Sequence, residues 1–121
     1  MEIVSCRYNI QEIIEEMGVG DEAIYDLYKT YFSEMRENIN EITEFVENSQ
    51  WNEVGRVLHN IKGVSINLSI VDVHKAASTF NELIKLGIYE NSQIHIKNLA
   101  QLTKQAEDEV KNFFRKKGVQ T

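Results

Sequence analysis

The sequence predicts an all-α fold, an antiparallel up-down four-helix bundle with a short extra helix at the amino terminus, and three observations carry that prediction. The 121 residues include no proline and only six glycines, so long helices can run without the residue that breaks them most severely. Apolar residues recur at spacings of three and four through most of the chain. The interruptions between these stripes are short, which forces successive helices to run antiparallel and to hide their stripes against a common centre.

The first helix is predicted over 10–17. Asn9 stands three residues before Glu12, as in a capping box, and Ile10, Ile13, Ile14 and Met17 follow at helical spacing before a glycine cap at Gly18. Beyond the turn at 18–21, Ile24, Leu27, Tyr28, Tyr31, Met35, Ile39, Ile42, Phe45 and Val46 form one long stripe. Asn48, Ser49 and Gln50 interrupt it, and Trp51, Val54, Val57, Leu58, Ile61, Ser65 and Leu68 mark a third helix over 50–67. Ser69, three residues before Asp72, reads as the cap of a fourth helix carrying Val73, Ala76, Ala77, Phe80, Leu83 and Ile84 and closed by Gly87. Asn91 and Ser92 open the last, with Ile96, Leu99, Leu102, Ala106, Val110, Phe113 and Phe114, and Arg115, Lys116 and Lys117 sit where cations favour a helix carboxyl end.

At 42% hydrophobic and 26% charged, a chain of this length supports one core, and residues 1–121 read as a single domain. The net charge of −6 argues against nucleic acid, whose phosphate backbone is bound by Lys and Arg. No apolar run approaches the roughly 20 residues of a membrane span and the amino terminus has no basic leader, so a cytoplasmic protein is expected. Cys6 is the only cysteine, which excludes an internal disulfide and a thiolate metal cluster and leaves a free thiol near a frayed end. Met1 and the modest tails point to a free-standing protein.

On a helical wheel, Val54, Val57, Leu58, Ile61 and Ser65 share one direction, and His59 falls on the far side from it, towards solvent. Its surface neighbours three and four positions away are Gly55, Arg56, Lys62 and Gly63. Each glycine inside a helix costs about 1 kcal/mol relative to alanine, and two such breaks on one face mark a functional surface where a bare backbone admits a partner. Ile66 adds an exposed apolar contact on the same side. Imidazole is nucleophilic near neutral pH, and the Lys62 ammonium can reach an anion held on it. Phosphoryl transfer asks little more of a protein than in-line positioning and compensation of negative charge.

The run Trp51 to Leu68, WNEVGRVLHNIKGVSINL, resembles the histidine-containing phosphotransfer (HPt) domain family, whose hallmark of His, two residues, Lys and Gly is met by His59, Lys62 and Gly63. The resemblance implies that His59 accepts a phosphoryl group from the aspartyl phosphate of a response-regulator receiver domain and passes it to another in a multi-step relay. Lys62 would steady the phosphoryl oxygens, and Gly63 would leave room for the receiver. A hybrid sensor histidine kinase would stand upstream. The chain would need no cofactor of its own, the magnesium for transfer belonging to the receiver. Two positions depart from the family: Leu58 where a small residue often precedes the histidine, and Ser69 where a glycine often follows the Asn-Leu pair. Leu58 falls on the core stripe, and the Ser69 hydroxyl is expected to cap the next helix.

The competing reading is a helical docking or adaptor bundle that carries no phosphate; the intact His59 and Lys62 speak against it. No glycine-rich nucleotide loop or nucleophile triad is visible, so the chain is not a kinase by itself. His74 and His95 lack partners at metal-ligand spacing and are expected at the surface. A monomer is expected, because the His59 face must stay free for docking.

Overall fold

The computed structural model describes residues 6–121. They form α1 (Ile10–Met17), α2 (Asp21–Glu47), α3 (Trp51–Asn67), α4 (Val71–Lys85) and α5 (Ser92–Lys116). The helix periodicity therefore located every element to within a residue or two. α2, α3, α4 and α5 pack in a ring, each against its chain neighbours and α5 back against α2, as an up-down bundle requires. No described helix is long and apolar enough to cross a membrane.

The four stripes meet in a core that includes Tyr28, Met35, Leu58, Ile61, Phe80 and Phe114, all fully buried. Leu58 thus lies in the interior as its wheel position requires. The Tyr25 and Tyr28 rings lie 5.1 and 6.0 Å from Phe114, tilted as aromatic quadrupoles prefer. Two members of the predicted stripes depart: Met17 and Leu27 are exposed. A wheel ranks directions on one helix, whereas exposure at the edge of a stripe depends on whether a neighbouring helix reaches that far.

Four helices end in the same motif, a left-handed residue after the last turn with a six-residue carbonyl bond closing over it. The left-handed residues are Ser49, Ser69, Gly87 and Gly118, at φ 54°, 64°, 75° and 88°. The closing bonds run from the amides of Gln50, Ile70, Ile88 and Val119 to the carbonyls of Phe45, Ser65, Leu83 and Phe114, at 2.8, 2.9, 2.9 and 2.9 Å. Ser69 therefore terminates α3 and does not cap α4, whose amino-terminal cap position is Ile70 with no side-chain bond. A glycine in that place would satisfy the same backbone geometry without a Cβ clash. Asn9 occupies the cap position of α1, but its side chain makes no capping bond; its backbone N–H donates instead to Ser69 Oγ at 3.3 Å.

α1 lies across the end of the bundle where α3 gives way to α4 and α5 finishes. The segment before it fixes that placement. The Arg7 guanidinium pairs with Asp72 and, at 2.9 Å, with Glu109, joining the starts of α1 and α4 to α5. Tyr8 is buried, and its hydroxyl bonds the Asp72 carboxylate at 3.0 Å. Burial pushes the Tyr8 phenol up to about 12, opposed in part by the Arg7 hydrogen bond and reinforced by Asp72. Lys117, just past α5, reaches Gln11 at 2.7 Å and Asp21 at 3.5 Å. Cys6 is half-buried against the core rather than frayed, and burial raises its thiol pKa.

Candidate functional site

α3 carries its polar face outward because Val54, Val57, Leu58 and Ile61 are all sealed in the core on the other side. His59 is accordingly exposed, and among the described residues it makes no hydrogen bond or ion pair. Lys62, one turn on, is half-buried and forms no ion pair among the described residues, so its ammonium is available to an anion held on the imidazole. Gly63 is exposed, and a Cβ placed there would meet nothing within 4 Å. Among the described residues, no atom requires glycine at 63. Ile66 is 46% exposed on the following turn. Arg56 is exposed and paired with Glu53 of the same helix at 3.0 Å.

Gly55 plays a different part from Gly63. It is half-buried, and a Cβ there would point at α4, 3.7 Å from Asn81 Oδ1 and 4.0 Å from Ile84 Cγ2. Its bareness shapes a cleft of about 370 Å³ between α3 and α4, where His59 shares the lining with Trp51, Gly55, Asn81, Lys85 and Tyr89. The Trp51 and Tyr89 rings stack 4.0 Å apart and nearly parallel, closing one end of the cleft.

Asn81 is the residue that sequence reasoning missed. It is 1% exposed, and neither its amide nitrogen nor its carbonyl oxygen has a partner among the described residues. Such a buried orphan costs on the order of 1–3 kcal/mol. A signal was present: Asn81 interrupts the apolar stripe of α4 at a position flanked by Ala77, Phe80 and Ile84, all buried. What no local pattern contained was its place beside the cleft that His59 lines.

The other two histidines are not the surface residues expected from their positions. His74 is half-buried, with Nδ1 3.0 Å from the Lys62 carbonyl oxygen. His95 is half-buried and stacks on Phe80 at 5.1 Å. Both lie against a neighbouring helix, which a single-helix wheel does not report. No group of three or more His, Cys, Asp or Glu side chains suited to a metal ion occurs among the described residues.

α3, the second long helix of the bundle, thus presents an outward imidazole, a lysine one turn away and an open glycine on one exposed surface. The family model for the Hpt domain matches residues 26–113. The chain belongs to the Hpt domain family. Membership carries with it a role in histidine phosphotransfer within phosphorelay signalling. The matched span takes in α3 and α4 whole and most of α2 and α5, and leaves α1 outside it. A comparison with curated proteins and one with solved structures each returned no match.

Proposed function

We propose that this Hpt chain is an intermediate carrier of a multi-step two-component phosphorelay, with His59 as its phosphoryl acceptor. The observation that supports it best is an exposed His59 with Lys62 one turn away, neither of them engaged in an ion pair among the described residues. In the forward step a ring nitrogen of His59 forms a bond to phosphorus as the bond between phosphorus and the receiver's aspartyl oxygen breaks. The carboxylate leaves with the electron pair, and the proton on the other ring nitrogen stays. Lys62 offsets charge on the phosphoryl oxygens, and passage to a second receiver is the same step reversed. Gly63 and Ile66 supply clearance and apolar contact for the receiver, with Arg56 at the rim.

The partners on this reading are response-regulator receiver domains, which bring the magnesium, and a hybrid sensor histidine kinase that feeds the first of them. The chain acts in the cytoplasm as a monomer, with the α3 face uncovered. Incubation with a phosphorylated cognate receiver, beside a His59→Gln variant, tests the reading. Acid-labile, base-stable label on the parent and none on the variant is the expected result. Label persisting in His59→Gln places the acceptor elsewhere, and no label from any cognate receiver leaves a docking bundle that carries no phosphate.

A further inference from the structure

α3 is held to its neighbours unevenly. Its second half and carboxyl cap make three side-chain hydrogen bonds to the flanking helices, spaced one turn apart: His74 of α4 with the Lys62 carbonyl (3.0 Å), the Tyr31 hydroxyl of α2 with the Ser65 hydroxyl (2.7 Å), and the Tyr28 hydroxyl of α2 with the carbonyl of the cap residue Leu68 (2.8 Å). Its first eleven residues, Trp51 to Ile61, make none to those helices, and the polar group buried beside them, Asn81, is unpartnered, both among the described residues. The clamped half is the one that presents Lys62, Gly63 and Ile66.

The His74 bond falls on one particular peptide. The Lys62 carbonyl belongs to the peptide unit that joins Lys62 to Gly63, and glycine leaves that unit freer to tilt than any other residue would. A carbonyl oxygen only accepts, so His74 Nδ1 carries the proton, in the neutral ring as in the charged one. The oxygen has a second lone pair beyond the one the helix ladder uses, so the lateral bond adds to the helix without competing with it. It restrains tilt at the position where the missing side chain would otherwise permit it.

We propose that His74 is a positioning residue for phosphoryl exchange, holding the Lys62–Gly63 peptide in the orientation that a receiver docks against. The inference rests on the reading of His59 as phosphoryl acceptor. His74 touches neither the phosphoryl group nor the partner; it acts through the backbone of α3.

Two variants test this. His74→Phe keeps a ring of similar size but removes the donor, whereas His74→Asn keeps an N–H donor at the same distance along the side chain. Amide hydrogen exchange at Gly63, Val64 and Ile66 and the concentration dependence of transfer from a phosphorylated receiver would be measured for both and for the parent. In His74→Phe, exchange at these amides speeds up and the receiver concentration for half-maximal rate rises, each by roughly threefold to tenfold, the worth of one net intramolecular hydrogen bond. The maximal rate changes less, and His74→Asn recovers most of the loss. Equal impairment of both variants would make His74 a packing residue and overturn the proposal, as would faster exchange with unchanged receiver dependence. Loading of the parent with a small phosphoramidate donor separates the two claims: no label at His59 overturns the acceptor reading and this inference together, while label with receiver dependence unmoved by His74→Phe overturns the inference alone.

Discussion

Replacing Gly63 by alanine should stabilise the protein and slow its phosphoryl exchange, and the structure sets the size of the first effect. A glycine in a helix interior costs about 1 kcal/mol relative to alanine, chiefly through backbone entropy. That gain is recovered in full only where the new methyl meets no obstruction, and at Gly63 nothing lies within 4 Å of the added Cβ. For 121 residues, about 1 kcal/mol corresponds to roughly 4 °C in Tm. Thermal unfolding followed by circular dichroism would show the rise, and transfer from a phosphorylated receiver would be timed on the same preparations. Alanine should slow transfer modestly and Gly63→Leu severely, because each added carbon projects from an exposed position into the approach path of the partner. A Tm that fails to rise in Gly63→Ala would refute the open-space geometry. Undiminished receiver binding by Gly63→Leu would refute the clearance argument. Gly55→Ala is the control for stability: its methyl finds ordinary contact with Asn81 and Ile84, so it too should gain about 1 kcal/mol.

Removing the Lys62 ammonium with Lys62→Ala should leave helicity intact and slow exchange by roughly tenfold or more, a change seen in single-turnover transfer and absent if the lysine is an ordinary solvated charge. Ser49→Gly should raise the urea midpoint by the equivalent of about 0.5–1 kcal/mol, since the left-handed backbone penalty exceeds the entropy glycine adds. Ser69→Gly should gain less than Ser49→Gly, because it also loses the hydroxyl that accepts the Asn9 N–H; equal gains would show that this 3.3 Å bond contributes nothing. Asn81→Leu should stabilise the fold by on the order of 1 kcal/mol by removing two buried orphan groups, and a loss of stability in equilibrium unfolding would show that the amide is satisfied in solution. Burial raises the phenol pKa of Tyr8 to about 12 and those of Tyr28 and Tyr31 further still. The folded state therefore holds protons that the unfolded chain releases near pH 10, so stability is fully present below about pH 10 and declines as pH rises from there through about 12. Denaturant unfolding across that range, with tyrosinate absorbance as the second probe, would show a flat profile if the phenols were solvated.

The sequence by itself determined the helices and the outward face of α3, because both depend on a period of 3.6 residues that is written locally. The same period placed Leu58 inside and His59 outside one residue later, and three adjacent signals, His59, Lys62 and Gly63, were enough to indicate the family. Helix ends were legible where glycine stands in the left-handed position, at Gly18 and Gly87, and were misread at Ser69, where a serine adopts the same geometry and its hydroxyl offered a second, more familiar role as a cap. Tertiary structure alone decided what faces α3 from the next helix. Asn81 beside the cleft of His59, the His74 ring on the Lys62 carbonyl, the Trp51–Tyr89 stack and the direction of Gly55 towards α4 all depend on the register between α3 and α4. That register comes from the tight left-handed turn at Ser69 and from interlocking core side chains, and the pattern of one helix contains neither its neighbour's phase nor its distance.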